Sequence, residues 1–411
     1  MARDKRREEL YVKVPNLFRC PISMDVMKSP VSLCTGVTYD RSSIEKWLAL
    51  GHNTCPATMQ TLPSTNTTPN LTLRRLIQLW LAHADGTQAS PSSLVISKRQ
   101  AAEIVSGELD SASLGKMIGF MTASEENLKF VALSRDAVSR FVEVFAKSGE
   151  IRIREQIVEI LDLISQENGM RERLNELILN CGDERDYLSS FVMVLQKGNS
   201  ESKVKSAKIL ELIAVNTESQ RKIAEKSGLL HELYTLSTAE ADTSVVEAGL
   251  SALLAISTTR PVKKELIRFG IVRTVGKILS GSDYSCPVRG VIEKALAMLE
   301  TVATCTEGRS MISEDAECVV EIVKRLMKCS GVATEHGITV LWSVCCLARD
   351  RVAQEKVAKV NGLTKVLLVM QSDCSANAKQ MCGELVKVLR AKNTKSNLAP
   401  YETRTTHIAP Y

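Results

Sequence analysis

The chain has 411 residues, a length for two or three domains. Hydrophobic residues make up 44%, charged residues 24% and aromatics 4%, a profile that suits a soluble protein packing helix on helix more than a β-sandwich. A net charge of +6, with no basic stretch interleaved with aromatics, argues against nucleic acid, and no apolar run approaches the ~20 residues of a membrane helix.

Residues 1–14 are a charged lead without the apolar core of a secretory signal. Ala2 stands where myristoylation needs glycine, and the last residues carry no prenylation box. Nine of the twelve cysteines lie beyond residue 180, mostly in apolar stretches, as small buried hydrophobes would in a reducing compartment. The expectation is a cytoplasmic protein without disulfides, with the nucleus also open to it.

Residues 15–84 mix turns with short helices. Ser42, three residues before Glu45, predicts a capping box, after which Ile44, Trp47 and Leu48 share a face and Gly51 offers a left-handed cap. A second helix opens after Pro69-Asn70, with Leu73, Leu76, Ile77 and Trp80 as its buried stripe. Residues 85–97, D-G-T-Q-A-S-P-S-S-L-V-I-S, read as a linker, residues 98–391 are helical in pattern, and residues 392–411 form a polar tail.

The helical zone repeats. I-L-D-L-I-S at 160–165 recurs as I-L-E-L-I-A at 209–214, S-A-L-L-A-I at 251–256, M-L-E-T-V-A at 298–303 and V-L-W-S-V-C at 340–345. The small residues Ser165, Ala214, Ala255, Ala303 and Cys345 are separated by 49, 41, 48 and 42 positions. Gly228, Gly270 and Gly362 each end one helix just before an apolar one, and D-A-E-C-V-V-E-I-V at 315–323 is a degenerate copy. A period of about 40–47 with two or three helices per unit is the armadillo/HEAT signature, in which stacked units form a solenoid with a long groove. Five clear units are expected, with weak ones near 98–147 and 376–391. An irregular helical bundle is the alternative.

Two stretches, F-R-C-P-I-S at 18–23 and N-T-C-P-A-T-M-Q at 53–60, look like half-knuckles for zinc. Tetrahedral zinc wants four thiolate or imidazole donors per site. Residues 15–84 offer Cys20, Cys34, Cys55 and His52, while the positions that should pair with the cysteines hold Ser23, Gly36 or Thr38, and Thr58. Neutral hydroxyls are poor ligands, so no metal and no cofactor is expected. A reactive thiol would want a nearby His or cation; His52 is near Cys55 in sequence, but no nucleophile is expected. Ile44, Leu48, Tyr39, Leu62 and Leu73 read as core, and Trp47 fits core or contact equally.

The segment V-P-N-L-F-R-C-P-I-S-M-D-V-M-K-S-P-V at 14–31, with T-G-V-T-Y-D-R-S-S-I-E-K-W-L at 35–48, T-C-P-A-T at 54–58 and P-N-L-T-L-R-R-L-I at 69–77, closely resembles a U-box, a RING-like frame without metal. A U-box followed by armadillo repeats resembles the plant U-box/armadillo ubiquitin-protein ligases. The resemblance implies a mostly α protein: a small α+β U-box, then an armadillo-repeat α-solenoid. It implies hydrogen bonds and salt bridges in place of zinc, with Ser23, Asp40, Arg41 and Thr58 as candidates for the polar network. It also implies a ubiquitin-charged conjugating enzyme docked on Ile22, with Met24 alongside, Trp47 and Pro56, and no catalytic nucleophile on this chain. A protein substrate would lie in the armadillo groove; a homodimer and a setting in stress or defence signalling are also compatible.

Two positions depart from that family. An Arg or Lys shortly after the second-loop Pro often reaches ubiquitin; here Met59 stands there, with Gln60 next. T-N-T-T-P-N at 65–70 lacks the usual apolar residue before Pro-Asn. The rival function is a non-catalytic armadillo adaptor or scaffold. An import-receptor groove is disfavoured, because Trp342, the one Trp of the repeats, is followed four residues on by Cys346 rather than Asn.

Overall fold

The computed structural model describes residues 15–62, 64–84, 96–179, 186–238, 242–281 and 286–393; the charged lead, the linker through residue 95 and the tail from 394 lie outside them. The chain divides into two compact units, Met1–Glu167 and Asn168–Tyr411.

The first unit begins with a small antiparallel sheet in the order β2-β1-β3, made of β1 (Pro30–Ser32), β2 (Thr38–Asp40) and β3 (Thr68–Pro69). Val31 lies opposite Tyr39 on one side and Pro69 on the other. Gly36, at φ 80°, makes the tight turn that sends β1 back as β2. β2 runs without a loop into helix α1 (Arg41–Ala49), and α2 (Leu71–Ala84) follows β3. Cys20, Val31, Tyr39, Ile44 and Cys55 are fully enclosed at the centre, with Leu62, Leu73 and Ile77 around them and Leu48 half-buried beside them.

Two local expectations change. Because β2 passes directly into α1, the extended residue Asp40 takes the N-cap position, and Ser42 falls inside the first turn. No capping box forms: Ser42 donates its hydroxyl to Asp40, and Glu45 pairs with Arg41 at 3.3 Å. In α2 the buried stripe is Leu73 and Ile77, with Trp80 edge-on to Phe18, while Leu76 is exposed. A core this small meets only a narrow strip of helix, and Leu76 lies off it.

Among the described residues, five more helices belong to this unit: α3 (Lys98–Ser106), α4 (Ser111–Ala123), α5 (Glu125–Leu133), α6 (Arg135–Lys147) and α7 (Ile151–Ile164). The first four open on side-chain caps from Ser97, Asp110, Ser124 and Ser134, each accepting an N–H of the first turn. The I-L-D-L-I-S stretch lies in α7, and α5, α6 and α7 pack mutually. Part of the weak unit expected near 98–147 therefore supplies the first two helices of that repeat.

The second unit is a run of triplets. They are α8 (Met170–Leu179), α9 (Tyr187–Lys197) and α10 (Ser200–Ile213); then α11 (Thr217–Glu225), α12 (Leu229–Leu236) and α13 (Thr243–Ile256). Next come α14 (Arg260–Phe269), α15 (Ile271–Ser280) and α16 (Cys286–Ala303), followed by α17 (Thr306–Glu314), α18 (Cys318–Arg325) and α19 (Gly331–Trp342). The last are α20 (Arg351–Lys359), α21 (Gly362–Gln371) and α22 (Ala376–Asn393). The 376–391 stretch is thus the third helix of the last triplet rather than a separate weak unit. The third helices form a ladder, α10 on α13 on α16 on α19 on α22.

The landmarks acquire physical reasons. Gly228 and Gly270 sit at φ 81° and 92° between first and second helices, where L side chains are strained. At the last triplet Asn361 takes the left-handed position (φ 59°) instead, and Gly362 begins α21. Gly362 is needed for space, since a Cβ there would lie 2.3 Å from Val357 Cγ1 and 2.6 Å from the Val357 carbonyl oxygen.

Successive repeats are also joined by cations set on helix C-termini. Lys222 of α11 donates to the Leu179 carbonyl ending α8 (3.1 Å), and Lys356 of α20 to the Ser313 carbonyl of α17 (2.7 Å). Lys365 of α21 reaches the Val323 carbonyl of α18 (2.7 Å), and Arg325 of α18 the Leu279 carbonyl of α15 (2.8 Å). Each satisfies carbonyls left over at a helix end, where positive charge also suits the helix dipole.

Candidate functional site

The two half-knuckles fold alike. In Cys-Pro-Ile-Ser-Met-Asp (20–25) and Cys-Pro-Ala-Thr-Met-Gln (55–60), the cysteine N–H donates to the carbonyl five residues on, Asp25 or Gln60, at 2.8 Å in both. The Met24 and Met59 N–H groups donate back to the Cys20 and Cys55 carbonyls, again at 2.8 Å. Both methionines occupy the left-handed region, at φ 61° and 57°. Single antiparallel bridges, Arg19 with Val26 and Thr54 with Thr61, close the loops.

Protein donors converge on each sulfur. Cys20 Sγ accepts the Asp40 N–H at 3.3 Å. Burial alone would raise its pKa, but the N–H groups of Ser23, Asp40 and Ile22 and the Ser23 hydroxyl together lower it. Cys55 Sγ meets the Tyr39 hydroxyl at 3.0 Å and the Thr35 hydroxyl at 3.3 Å. Its pKa, which burial would raise, is brought down to about 6 by the hydroxyls of Thr35, Thr58 and Tyr39. The Tyr39 phenol is pushed up, by burial first and then by Cys55, so it keeps its proton and donates it to the sulfur. Its oxygen in turn accepts the Ala57 N–H at 3.0 Å.

Asp40 completes the arrangement. Its carboxylate accepts the Lys28 and Ser29 N–H groups and the Ser42 hydroxyl, each at 2.8 Å. Burial raises the pKa of this group, and those donors outweigh burial and lower it. Two neighbouring residues at the end of β2 therefore hold both loops: Tyr39 reaches the second knuckle, and Asp40 reaches the first.

Of the other proposed polar residues, Ser23 and Thr58 sit one on each sulfur, and they also accept the Asp25 and Gln60 N–H groups at 3.4 and 3.5 Å. Arg41 differs. Its guanidinium turns outward to Glu45, and only its backbone N–H joins the cluster, on the Ser29 carbonyl at 2.9 Å. The first residue of a helix at the surface has a free i+4 carboxylate closer than any buried acceptor.

Sequence reasoning missed Thr35, Tyr39 in its polar role, Ser42, and both cysteines as acceptors. It also missed Asn70, whose amide N–H groups reach Thr38 and Ser32 (3.2 and 3.4 Å) while its oxygen caps α2 at Leu73. The signal was present: T-G-V-T-Y-D places a tyrosine beside an aspartate at a strand end. Among the described residues, no three His, Cys, Asp or Glu side chains come together as a metal ion would require. Cys34 stands apart and exposed, its thiol directed at the Ser64 carbonyl at 3.6 Å.

The proposed docking residues ride on these elements. Ile22, on the first knuckle, is half-buried against the core, and Met24 beside it is 63% exposed. Trp47 is half-buried on α1; its indole N–H donates to the Thr54 carbonyl at 2.9 Å, and its ring stacks on His52 with centroids 4.1 Å apart. The first contact fastens α1 to the second knuckle next to Cys55 and Pro56. Pro56 is half-buried, Met59 is 70% exposed and the Gln60 side chain is exposed.

The sequence matches the profile of the U-box domain over residues 14–85 and that of the plant U-box protein ARM repeat region over residues 94–408. U-box domain-containing protein 28 of Arabidopsis thaliana is 42% identical to it over 99% of this chain and 100% of its own. U-box domain-containing protein 29 of the same plant is 40% identical, with 100% of both chains covered. E3 ubiquitin-protein ligase PUB23 of Arabidopsis thaliana is 26% identical over 92% of this chain and 93% of its own.

Proposed function

The chain belongs to the plant U-box proteins with armadillo repeats, and from that premise we propose that it is a RING-type ubiquitin-protein ligase. Its U-box binds a ubiquitin-charged conjugating enzyme, its armadillo repeats recruit a protein substrate, and ubiquitin passes to a substrate lysine. We place this activity in the cytoplasm. The observation that carries the reading is the Tyr39–Asp40 junction, which fixes both knuckle loops so that Ile22, Trp47 and Pro56 are held on three elements of one small core.

No thiol of the U-box core suits a covalent step. Cys55 has a lowered pKa, but it is fully buried and its sulfur is occupied by hydroxyl donors. The contribution of this chain is proximity and orientation: a docked thioester held still near an amine reacts as if intramolecular. A half-buried indole fixed at its N–H and stacked on an imidazole loses little freedom when a partner covers it, which favours binding.

The test is single-turnover discharge of ubiquitin from a panel of charged conjugating enzymes. Trp47→Ala and Ile22→Ala are each expected to slow discharge by at least tenfold, about 1.4 kcal/mol. Folded variants with full activity would displace the docking surface. A native chain that stimulates no member of the panel would favour the adaptor.

A further inference from the structure

The two knuckles fold alike, but they are fastened differently. Arg19, leading into the first, reaches across its own loop and donates a guanidinium N–H to the Met24 carbonyl at 2.9 Å. Thr54, at the corresponding place before Cys55, is too short for that reach. Its carbonyl instead accepts the Trp47 indole N–H at 2.9 Å. The mouth of the second knuckle is therefore fastened from outside, by a side chain of α1.

One hydrogen bond fixes a ring at a point and leaves it free to tilt about that point. The tilt is limited by what meets the ring face. His52 stacks on the indole, with centroids 4.1 Å apart and planes 25° from parallel. Stacked aromatic pairs attract beyond the area they bury. The backbone brings the two rings together. Gly51, at φ 88°, takes the left-handed region after α1, with its N–H on the Leu48 carbonyl at 3.0 Å. The chain turns back there and lays His52 over Trp47, five residues earlier.

The core does not account for His52. The residue is exposed and stands outside the buried cluster. Among the described residues its imidazole makes no hydrogen bond and no ion pair, and Trp47 is its aromatic neighbour.

We propose that His52 is a positioning residue for the docking of the conjugating enzyme: its imidazole holds the Trp47 ring at one tilt, so that the indole and the second knuckle meet the partner already in register. This inference rests on the ligase reading. His52 acts through Trp47 and has no part in the thioester chemistry. A ring held before docking need not be ordered during it, so the gain lies in affinity and not in the rate of the docked complex. The position requires a flat ring and makes no use of the imidazole nitrogens.

The experiment is single-turnover discharge by the full chain, measured against the concentration of a charged conjugating enzyme that the native chain stimulates. His52→Ala is expected to raise the half-saturating concentration about fivefold and to leave the saturating rate within about twofold of native. His52→Phe, which keeps a flat ring, is expected to bring the half-saturating concentration back to within about twofold of native, and His52→Gln, polar but ringless, to behave as His52→Ala. Added to Trp47→Ala, His52→Ala is expected to cause no further loss, because its effect passes through the indole. Thermal stability is read in parallel. An unchanged half-saturating concentration in His52→Ala, no rescue by His52→Phe, or a further loss on top of Trp47→Ala would each overturn the proposal. A fall in saturating rate that tracks lower thermal stability would make His52 a structural residue and overturn it as well. In each of these cases the native chain still discharges ubiquitin and the ligase reading stands. A native chain inert with the whole panel removes that reading, and this inference with it.

Discussion

The U-box segment and the repeats of the second unit solve the same problem in opposite ways. Residues 15–84 enclose a small core and hold two long loops by polar groups converging on Tyr39 and Asp40. The second unit spreads its stability along a ladder of third helices, and its polar links include cations set on helix ends of the preceding repeat, one from α11, one from α18 and two from the last triplet. A converging network is cooperative, so losing one member unsettles several others. A stacked array is nearly additive, because each repeat meets only its neighbours. A converging network fixes the relative positions of its members, which suits the segment offered as the docking surface, although it is the smaller.

The largest expected effect tests whether damage in the repeats stays local. Gly362→Ala forces a Cβ into Val357 and its carbonyl, and overpacking of this kind costs about 3 kcal/mol. Hydrogen exchange should rise in α20 to α22 and stay unchanged in the U-box. Exchange rising throughout the chain would break the contrast. Tyr39→Phe is the counterpart in the network. It removes one hydroxyl, taking one of three donors from Cys55 Sγ and leaving the Ala57 N–H without its acceptor, at a cost of about 2 kcal/mol. Both knuckle loops should lose exchange protection together, and loss confined to residues 53–60 would show that the two loops are not coupled.

Acid sharpens the same comparison more gently. The folded-state pKa of Asp40 lies below its unfolded value of about 3.9, so its contribution is fully present above that value and is lost as pH falls through the folded one. Thermal unfolding followed by U-box exchange should therefore weaken below about pH 4 in the native chain and less so in Asp40→Asn. Identical acid profiles would remove Asp40 from the junction.

The two regions were also unequally legible. The repeats show in the sequence because each third helix must bury the same face at the same spacing, so Ile209–Ala214 and Met298–Ala303 look alike. Gly228 and Gly270 mark backbone that favours glycine, whereas at Asn361 the left-handed position moved one residue and the landmark glycine was serving packing instead. In the U-box the spacing of Cys20 and Cys55 exposed the loops, and the resemblance supplied Ile22, Trp47 and Pro56. The junction was hidden because Tyr39 reads as core and its second role depends on a hydroxyl 16 residues from its sulfur partner. Arg41, offered as a member of the polar network, contributes only its backbone N–H, because its side chain, at the start of a surface helix, turns to Glu45.

The smallest expected effect compares the two knuckles with each other. Met24 and Met59 have the same backbone, the same hydrogen bond to the preceding cysteine carbonyl and similar exposure. Substituting arginine at either site leaves the backbone strain unchanged, because both residues have a Cβ and the same left-handed requirement. The substitutions should therefore match in stability and differ only in what the new guanidinium can reach. If the second knuckle faces ubiquitin in the docked complex, Met59→Arg supplies a charged donor there and discharge rises about threefold, near 0.65 kcal/mol. Met24→Arg, beside Ile22 on the first knuckle, should give no gain. Equal rates in both variants would show that Met59 does not limit transfer, and a gain at Met24 alone would exchange the roles of the two loops.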